Sequence, residues 1–337
     1  MSSGRPDTPL RLLADIGGTN ARFSLSRGNE FSDDRVLACA DYPDLVAAVE
    51  HYLQLVGAMT PERRPQQAAI AIAGPITGDL IHMTNHAWQF SAAAVRRELG
   101  LTRLSFFNDF TALAMALRYL PANELETIGR GRAVTNAPIA LIGPGTGLGV
   151  SGLIPGPGSD STLQWIPLQG EGGHVTLPVT NEREIAVFNR LRLRFSHVSA
   201  ERAVTGPGLV NLYDALCEIE GVIADVLTPA EVTSRAAQGS CRICLEAVYM
   251  FCGMLGTIAG NLVLTLGAVG GVYIGGGVVP NLGRLFAASH FRDRFEDKGR
   301  YGEYLAAVPV FLIHTPLPAF VGLAHSFADA GPRWEAQ

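Results

Sequence analysis

LLADIGGTNARF, Leu12 to Phe23, is the stretch on which the fold turns. Leu12, Leu13, Ala14 and Ile16 are apolar or small, Gly17 and Gly18 permit positive φ and close backbone approach, and Arg22, Phe23, Ser24 and Leu25 resume an alternating pattern. The pattern predicts a β-hairpin whose tip can offer backbone N–H groups to an anion. Asp15 stands at the end of the first strand. A carboxylate there would be repelled by bare phosphate oxygens unless a divalent cation lay between them, which makes Asp15 a candidate for holding Mg²⁺ through water. Taken alone, the same residues fit an ordinary hairpin with an Asp-Gly-type turn equally well.

The grammar returns half a chain later: strand Ile139 to Ile142, glycine turn GPGTGLG from Gly143 to Gly149, strand Val150 to Ile154. Pro121 and the polar ANE stretch that follows mark a domain boundary, so each domain would carry one phosphate loop facing a shared cleft. Between the two hairpins, the apolar spacing predicts a helix over 42–56, a buried strand over 68–73 ending at Gly74-Pro75, and a helix capped by Ser91. Leu104 to Phe107 is a further buried strand, and it ends in Asn108-Asp109 immediately before the helix FTALAMAL. Open α/β sheets place their ligands at such a strand-to-helix junction. Asp109 there reads as a helix N-cap, a catalytic base, or both.

In QGEGGHV, Gln169 to Val175, Glu171 and His174 are spaced like a helical metal pair, but Gly172 and Gly173 argue against a helix. A glycine loop holding a carboxylate and an imidazole towards a polar ligand fits better than an exposed turn with incidental side chains. Asn181 with Glu184 predicts a capping box, Ser199 a cap for a short helix carrying Glu201, and Thr228-Pro229-Ala230-Glu231 a second box opening a long helical region. Ala247 to Gly283 carries no charge. Its period changes from helical to a strand-like VYI at Val272 to Ile274, so it reads as a core helix and a buried strand, with Gly256-xxx-Gly260 not taken as a membrane motif. Gly275, Gly276 and Gly277 form a third glycine cluster, suited to a nucleotide's adenosine end.

At 337 residues the chain calls for two domains, and 47% hydrophobic against 17% charged residues points to a large buried fraction. A net charge of −5 without a basic run among aromatics argues against nucleic acid as a partner. Lys298 is the single lysine, so any nucleotide is held without a P-loop lysine. Five cysteines and no signal peptide indicate reduced thiols in the cytoplasm, and Cys241-x-x-Cys244, without a second pair, reads as structural thiols ahead of zinc. The opening MSSGRPDTPLR reads as a loose tail.

With LLADIGGTNARF, the stretches AIAGPITGD, MTNHAW, FNDFTA, IGPGTGLGV, LQGEGGHV, HVSAERAVTGPGLVNLY, GGVYIGGGVVP and FEDKGR stand in order over nearly the whole chain. The ordered set resembles the bacterial glucokinases of the sugar kinase, actin and Hsp70 superfamily. That resemblance implies a two-domain α/β fold of the actin-like ATPase (ribonuclease H-like) type with an interdomain cleft. The smaller domain would take residues 1–119 and about 318–337, the larger 120–317. It implies transfer of the γ-phosphoryl of ATP to the 6-hydroxyl of D-glucose. Ala14, Asp15, Ile16, Gly17, Gly18, Thr19 and Asn20 match the first phosphate loop, Gly145, Thr146 and Gly147 fall in the second, and Gly275 to Gly277 match the adenosine motif. Asn108 and Asp109 match the sugar-binding pair, with Asp109 as general base; Glu171, His174 and Glu201 match the remaining sugar ligands. ATP with Mg²⁺, no zinc, and a cytoplasmic homodimer bound to neither membrane nor nucleic acid complete the implied picture. A kinase for another hexose or for an acyl phosphate, and a non-catalytic sugar-responsive regulator, are the alternatives. The cysteine-rich zinc motif of the related repressors and a helix-turn-helix ahead of Leu12 are both missing from the sequence.

Overall fold

A computed structural model describes residues 8–83, 86–158, 163–327 and 334–335. The tail through residue 7, Thr84 and Asn85 of MTNHAW, and residues 159–162 of the loop GPGSDST lie outside the described residues. Contacts divide the chain into two compact units: Met1–Pro121 with Gly156–Gln169 and Thr315–Gln337, and Ala122–Pro155 with Gly170–His314. Gly156–Gln169, which the sequence places in the larger domain, is grouped with the first unit.

In the first unit β1 (Arg11–Ile16), β2 (Asn20–Arg27) and β3 (Glu30–Ala38) form an antiparallel meander. After α1 (Leu45–Leu55) comes β4 (Gln67–Ile72), parallel to β1, and then the ribbon β5 (Leu80–His82) and β6 (Gln89–Ser91). α2 (Ala92–Glu98) leads to β7 (Arg103–Asn108), parallel to β4, and α3 (Asp109–Ala116). Strands β1, β4 and β7 are covered on both faces, which is why they read as unbroken apolar runs. Alternate residues part accordingly: Leu12, Ala14, Ile70 and Phe106 pack with α1 and α2, whereas Leu13, Ala71 and Phe107 pack with α3 and the C-terminal helix. α1 starts three residues later than its apolar spacing predicts, because Asp44 Oδ1 caps it by accepting the Ala47 N–H at 2.8 Å.

The second sheet is built on β8 (Leu125–Ile128), the hairpin β9 (Ile139–Pro144) and β10 (Leu148–Pro157), and β11 (Leu163–Pro167), its edge strand beside β10, although contacts group Gly156–Gln169 with the first unit. Helices α4 (Glu182–Leu191), α5 (Gly206–Glu220), α6 (Pro229–Ala237) and α7 (Arg242–Leu266) lead to β12 (Val272–Ile274), which runs parallel to β9. Four short helices, α8 (Val278–Leu282), α9 (Arg284–Ala287), α10 (Phe291–Glu296) and α11 (Gly302–Ala306), separate it from β13 (Val310–Ile313), parallel to β12. The chain returns to the first unit as α12 (Pro318–His325) and β14 (Trp334–Glu335). The sheet orders are β14-β7-β4-β1-β2-β3 and β11-β10-β9-β12-β13-β8. In each, an antiparallel hairpin continues into parallel strands from its first member, so one topology is used twice: the ribonuclease H-like plan of the actin-like fold.

Two details differ from the sequence-based expectation. α6 stops at Ala237 and Gly239 takes φ +66, so the helical region is two helices, and Cys241 starts the second instead of lying within a helix. The capping box at Thr228 and Glu231 is complete. The one expected at Asn181 is only half made. Asn181 Oδ1 accepts the Glu184 N–H at 2.9 Å, but the Glu184 carboxylate accepts from the Thr180 N–H and from Arg294 instead. α7 is long and apolar enough to cross a membrane, and it is the buried centre of the second unit's core.

Candidate active site

In the first unit the parallel register aligns Ile16 with Ile72 and Ile72 with Asn108. The glycine turn after β1, the Gly74 turn after β4 and the Asn108-Asp109 pair after β7 therefore leave the sheet at one carboxyl edge. Gly17 donates its N–H to the Asn20 carbonyl at 2.9 Å, closing the hairpin tip. Neither Gly17 nor Gly18 has positive φ, so the left-handed conformation allowed for from sequence is not used there.

Asp15 faces Arg22 directly across the hairpin, with Arg22 Nη1 3.4 Å from Asp15 Oδ2. Burial pushes the Asp15 carboxyl above its ordinary range, and the charge and hydrogen bond of Arg22 offset part of that. A carboxylate in this position gains from any further cation. A single protein carboxylate suits Mg²⁺, which keeps most of its octahedron as water and phosphate oxygen.

Asn108, not Asp109, is the N-cap of α3. Its Oδ1 accepts the N–H groups of Phe110 at 3.0 Å and Thr111 at 3.2 Å, while Nδ2 donates to the Gly74 carbonyl at 3.2 Å. Asp109 is the first helical residue and half-buried, and its Oδ1 accepts the Phe110 N–H at 2.8 Å. Relieved of the capping position, the carboxylate stays in the first turn, where the helix N-terminus favours negative charge.

In the second unit the turn between β9 and β10 closes through Gly145 N–H to the Gly147 carbonyl at 2.8 Å. Glu201 lies against it: its Oε2 accepts the Leu148 N–H at 3.0 Å, and a Cβ on Gly147 would stand 2.8 Å from that oxygen. Gly172 and Gly173 of QGEGGHV are explained by the same strand. A Cβ on Gly173 would sit 2.0 Å from the Leu148 carbonyl oxygen, and one on Gly172 2.7 Å from Val150 Cγ1. No α-helix spans Glu171 to His174; Gly172–His174 forms a single 3₁₀ turn. Glu201 occupies another, Ala200–Arg202, to which Ser199 contributes no side-chain cap. The two turns are tied by the Ala200 N–H to the Val175 carbonyl at 2.8 Å. Glu171, His174 and Glu201 are thus gathered at the start of β10, with Glu171 and His174 exposed.

Sequence reasoning gave no role to Thr205 and Gly206. Thr205 is buried and caps α5, accepting the Gly208 N–H at 2.9 Å and donating to the Glu201 carbonyl at 2.8 Å. Gly206 donates its N–H to the Gly145 carbonyl at 2.9 Å. The Thr-Gly-Pro-Gly stretch carries the cap-plus-proline signal that could have revealed this helix start. Also missed was a cavity of about 500 Å³ lined by Gly206 and Leu209 of α5, Thr233 and Ser234 of α6, and Val278 and Asn281 of α8. Its sequence signal is the stripe of small residues Ala230, Thr233, Ser234 and Ala237 along one face of α6. Gly277 caps α8 at the mouth of this helix, and Gly276 has φ +78 with the Pro144 carbonyl oxygen 2.4 Å from any Cβ.

The profile of the glucokinase family matches residues 12–330. A glucokinase of Aromatoleum aromaticum is 50% identical over 98% of this chain and 98% of its own length. One of Chromobacterium violaceum is 51% identical over 98% of this chain and 92% of its own. Among solved structures, a glucokinase from an Antarctic psychrotroph superposes with a TM-score of 0.82 at 36% identity, over 95% of this chain and 98% of that one. With the doubled ribonuclease H-like topology and both glycine hairpins in place, the chain belongs to the glucokinase family.

Proposed function

We propose that the protein transfers the γ-phosphoryl group of ATP to the 6-hydroxyl of D-glucose, with Asp109 as the general base. The observation that carries the assignment is the shared carboxyl edge in the first unit, where the β1–β2 glycine turn and the Asn108-Asp109 junction leave β1 and β7, the two parallel strands that flank β4. Asp109 takes the proton of the attacking hydroxyl, and a base in that role contributes about 10²- to 10⁴-fold. Most of the remaining acceleration comes from alignment and charge stabilisation, as in phosphoryl transfer generally.

The phosphates of ATP lie against Ala14 to Asn20 and Gly145 to Gly147, and the adenosine occupies the cavity beside Gly275 to Gly277. About 500 Å³ is within the size range of small-ligand pockets. Asp15 would hold Mg²⁺ through water, and the bound ion would supply neutralisation of phosphate charge. Asn108, Asp109, Glu171, His174 and Glu201 hold the sugar hydroxyls. Glu201 also accepts from Leu148, so the position of this sugar ligand and that of the second phosphate turn are fixed by one carboxylate. The enzyme works in the cytoplasm as a homodimer at the entry to glycolysis, without zinc, membrane or nucleic acid. Its acidic balance supports the last of these.

Asp109→Ala tests the base. Turnover in a coupled assay of ADP release should fall by about 10²- to 10⁴-fold, while calorimetric glucose binding weakens only in part. Near-normal turnover would remove Asp109 from the chemistry. Glu171, His174 and Glu201 around one ring also predict poor use of 2-deoxyglucose and N-acetylglucosamine, because a missing or altered hydroxyl leaves these groups unpaired.

A further inference from the structure

Cys241 and Cys244 take no part in the machinery described above. Cys241 is the N-cap of α7, and its Sγ accepts the backbone N–H of Cys244 at 3.3 Å. The Cys244 thiol also acts to lower the Cys241 thiol. Cys241 is partly exposed and Cys244 fully buried. Among the described residues no cluster of three or more His, Cys, Asp or Glu side chains is placed to hold a metal ion. The chemistry open to this pair is that of two adjacent thiols, one reachable from solvent and one behind it.

We propose that Cys241 and Cys244 form a reversible dithiol–disulfide site whose co-reactant is a low-molecular-weight disulfide. The Cys241 thiolate attacks one sulfur of that disulfide. Its S–S bond breaks, a Cys241 mixed disulfide forms, and the other half leaves as a thiolate that picks up a proton. Cys244 then gives up its proton to the second departing thiolate as its sulfur attacks the Cys241 sulfur. The mixed disulfide breaks and the Cys241–Cys244 bond closes. Two protein thiols are oxidised to one disulfide, and the small disulfide is reduced to two thiols.

The surroundings divide the two roles. Burial acts to raise the Cys241 thiol, but the backbone N–H and thiol of Cys244, the Ile243 N–H and the charge of Arg235 outweigh it and hold Cys241 below the ordinary range. Arg235 is fixed in place by Asp225. Cys244 is pushed up to about 12 by burial, by the Cys241 thiol and by the charge on that sulfur. Two of those three causes vanish once Cys241 is capped by the incoming group. The resolving thiol is therefore held back until the mixed disulfide exists and is released by its formation.

The full-length protein is incubated with oxidised glutathione, quenched with iodoacetamide and mapped by peptide mass spectrometry. The expected product is a Cys241–Cys244 disulfide that dithiothreitol reverses. Cys241→Ser should abolish it with phosphoryl transfer unchanged, since a serine oxygen caps the helix in place of sulfur. Cys244→Ala should accumulate glutathione on Cys241. Full alkylation of both cysteines in the wild type, or a Cys244→Ala protein that takes up no glutathione at Cys241, would overturn the proposal.

Discussion

Gly276 shows how little room a single position can leave. Its φ of +78 lies in the left-handed region, and a methyl group there would have to push against the carbonyl oxygen of Pro144, which ends β9. Left-handed backbone costs a non-glycine residue roughly 1–2 kcal/mol, and the contact adds to it. Gly276→Ala should therefore displace the second glycine turn and raise KM for ATP by about tenfold, in keeping with roughly 1.4 kcal/mol per decade, with glucose affinity much less affected. Steady-state kinetics with each substrate varied would check this; an unchanged KM for ATP would detach the Gly275 to Gly277 turn from the nucleotide. The same scale shows where sequence reading runs out. The junction at Asn108 and Asp109 is legible because a buried strand stops and a helix starts, yet Asn and Asp cap helices equally well. Only the geometry assigns the cap to Asn108. Gly172 and Gly173 read as loop-formers, whereas their need for hydrogen in place of a side chain comes from Leu148 and Val150 on another element. A contact that distant leaves no local signature.

Elements declare themselves when their determinants are local. The Thr228–Glu231 box on α6 is complete because both partners lie within one turn, and Glu184 fails to close its box because Arg294 competes for it from far along the chain. β3 escapes the alternation pattern altogether, being a largely exposed edge strand with charged residues along it, a common guard against edge-to-edge pairing. α7 explains the Gly256-xxx-Gly260 spacing. Both glycines lie under α10, where a Cβ on Gly256 would meet the Phe291 carbonyl oxygen at 2.2 Å and one on Gly260 the Phe295 carbonyl oxygen at 2.6 Å. Close approach of two backbones uses the same small-residue spacing in a packed protein core as in lipid. Alanine at Gly256 gains about 1 kcal/mol of helix propensity, but overpacking against a backbone costs typically 1–3 kcal/mol. Because the obstacle here is a carbonyl that belongs to a second helix, the cost should win. Gly256→Ala is expected to show a net loss of up to about 2 kcal/mol by urea denaturation, and a gain in stability would mean that α10 moves aside freely.

Over the whole molecule, buried groups that must stay protonated set the alkaline limit of stability. Burial raises Cys252 to about 12, with Ser289 acting in the opposite direction. Tyr213 is likewise held at about 12, chiefly by burial, and Tyr52 in the first unit is raised in the same direction for the same reason. Each folded value lies above the ordinary one, 9.0 for a thiol and 10.0 for a phenol. The unfolded chain therefore loses these protons first as pH rises. Stability is fully present below about pH 9 and declines from there towards pH 12, where the folded groups ionise in turn. Within that window a fully buried thiol such as Cys252 adds a slope of about 1.4 kcal/mol per pH unit. Urea midpoints measured in dithiothreitol, which keeps Cys241 and Cys244 reduced, should fall steadily above pH 9 in the wild type and less steeply in Cys252→Ala. The variant begins from lower stability because it leaves a small void, so the comparison rests on the slopes and not on the starting values. Parallel slopes would show that the Cys252 thiol ionises as readily in the folded protein as in the unfolded chain, and that the core around α7 admits water.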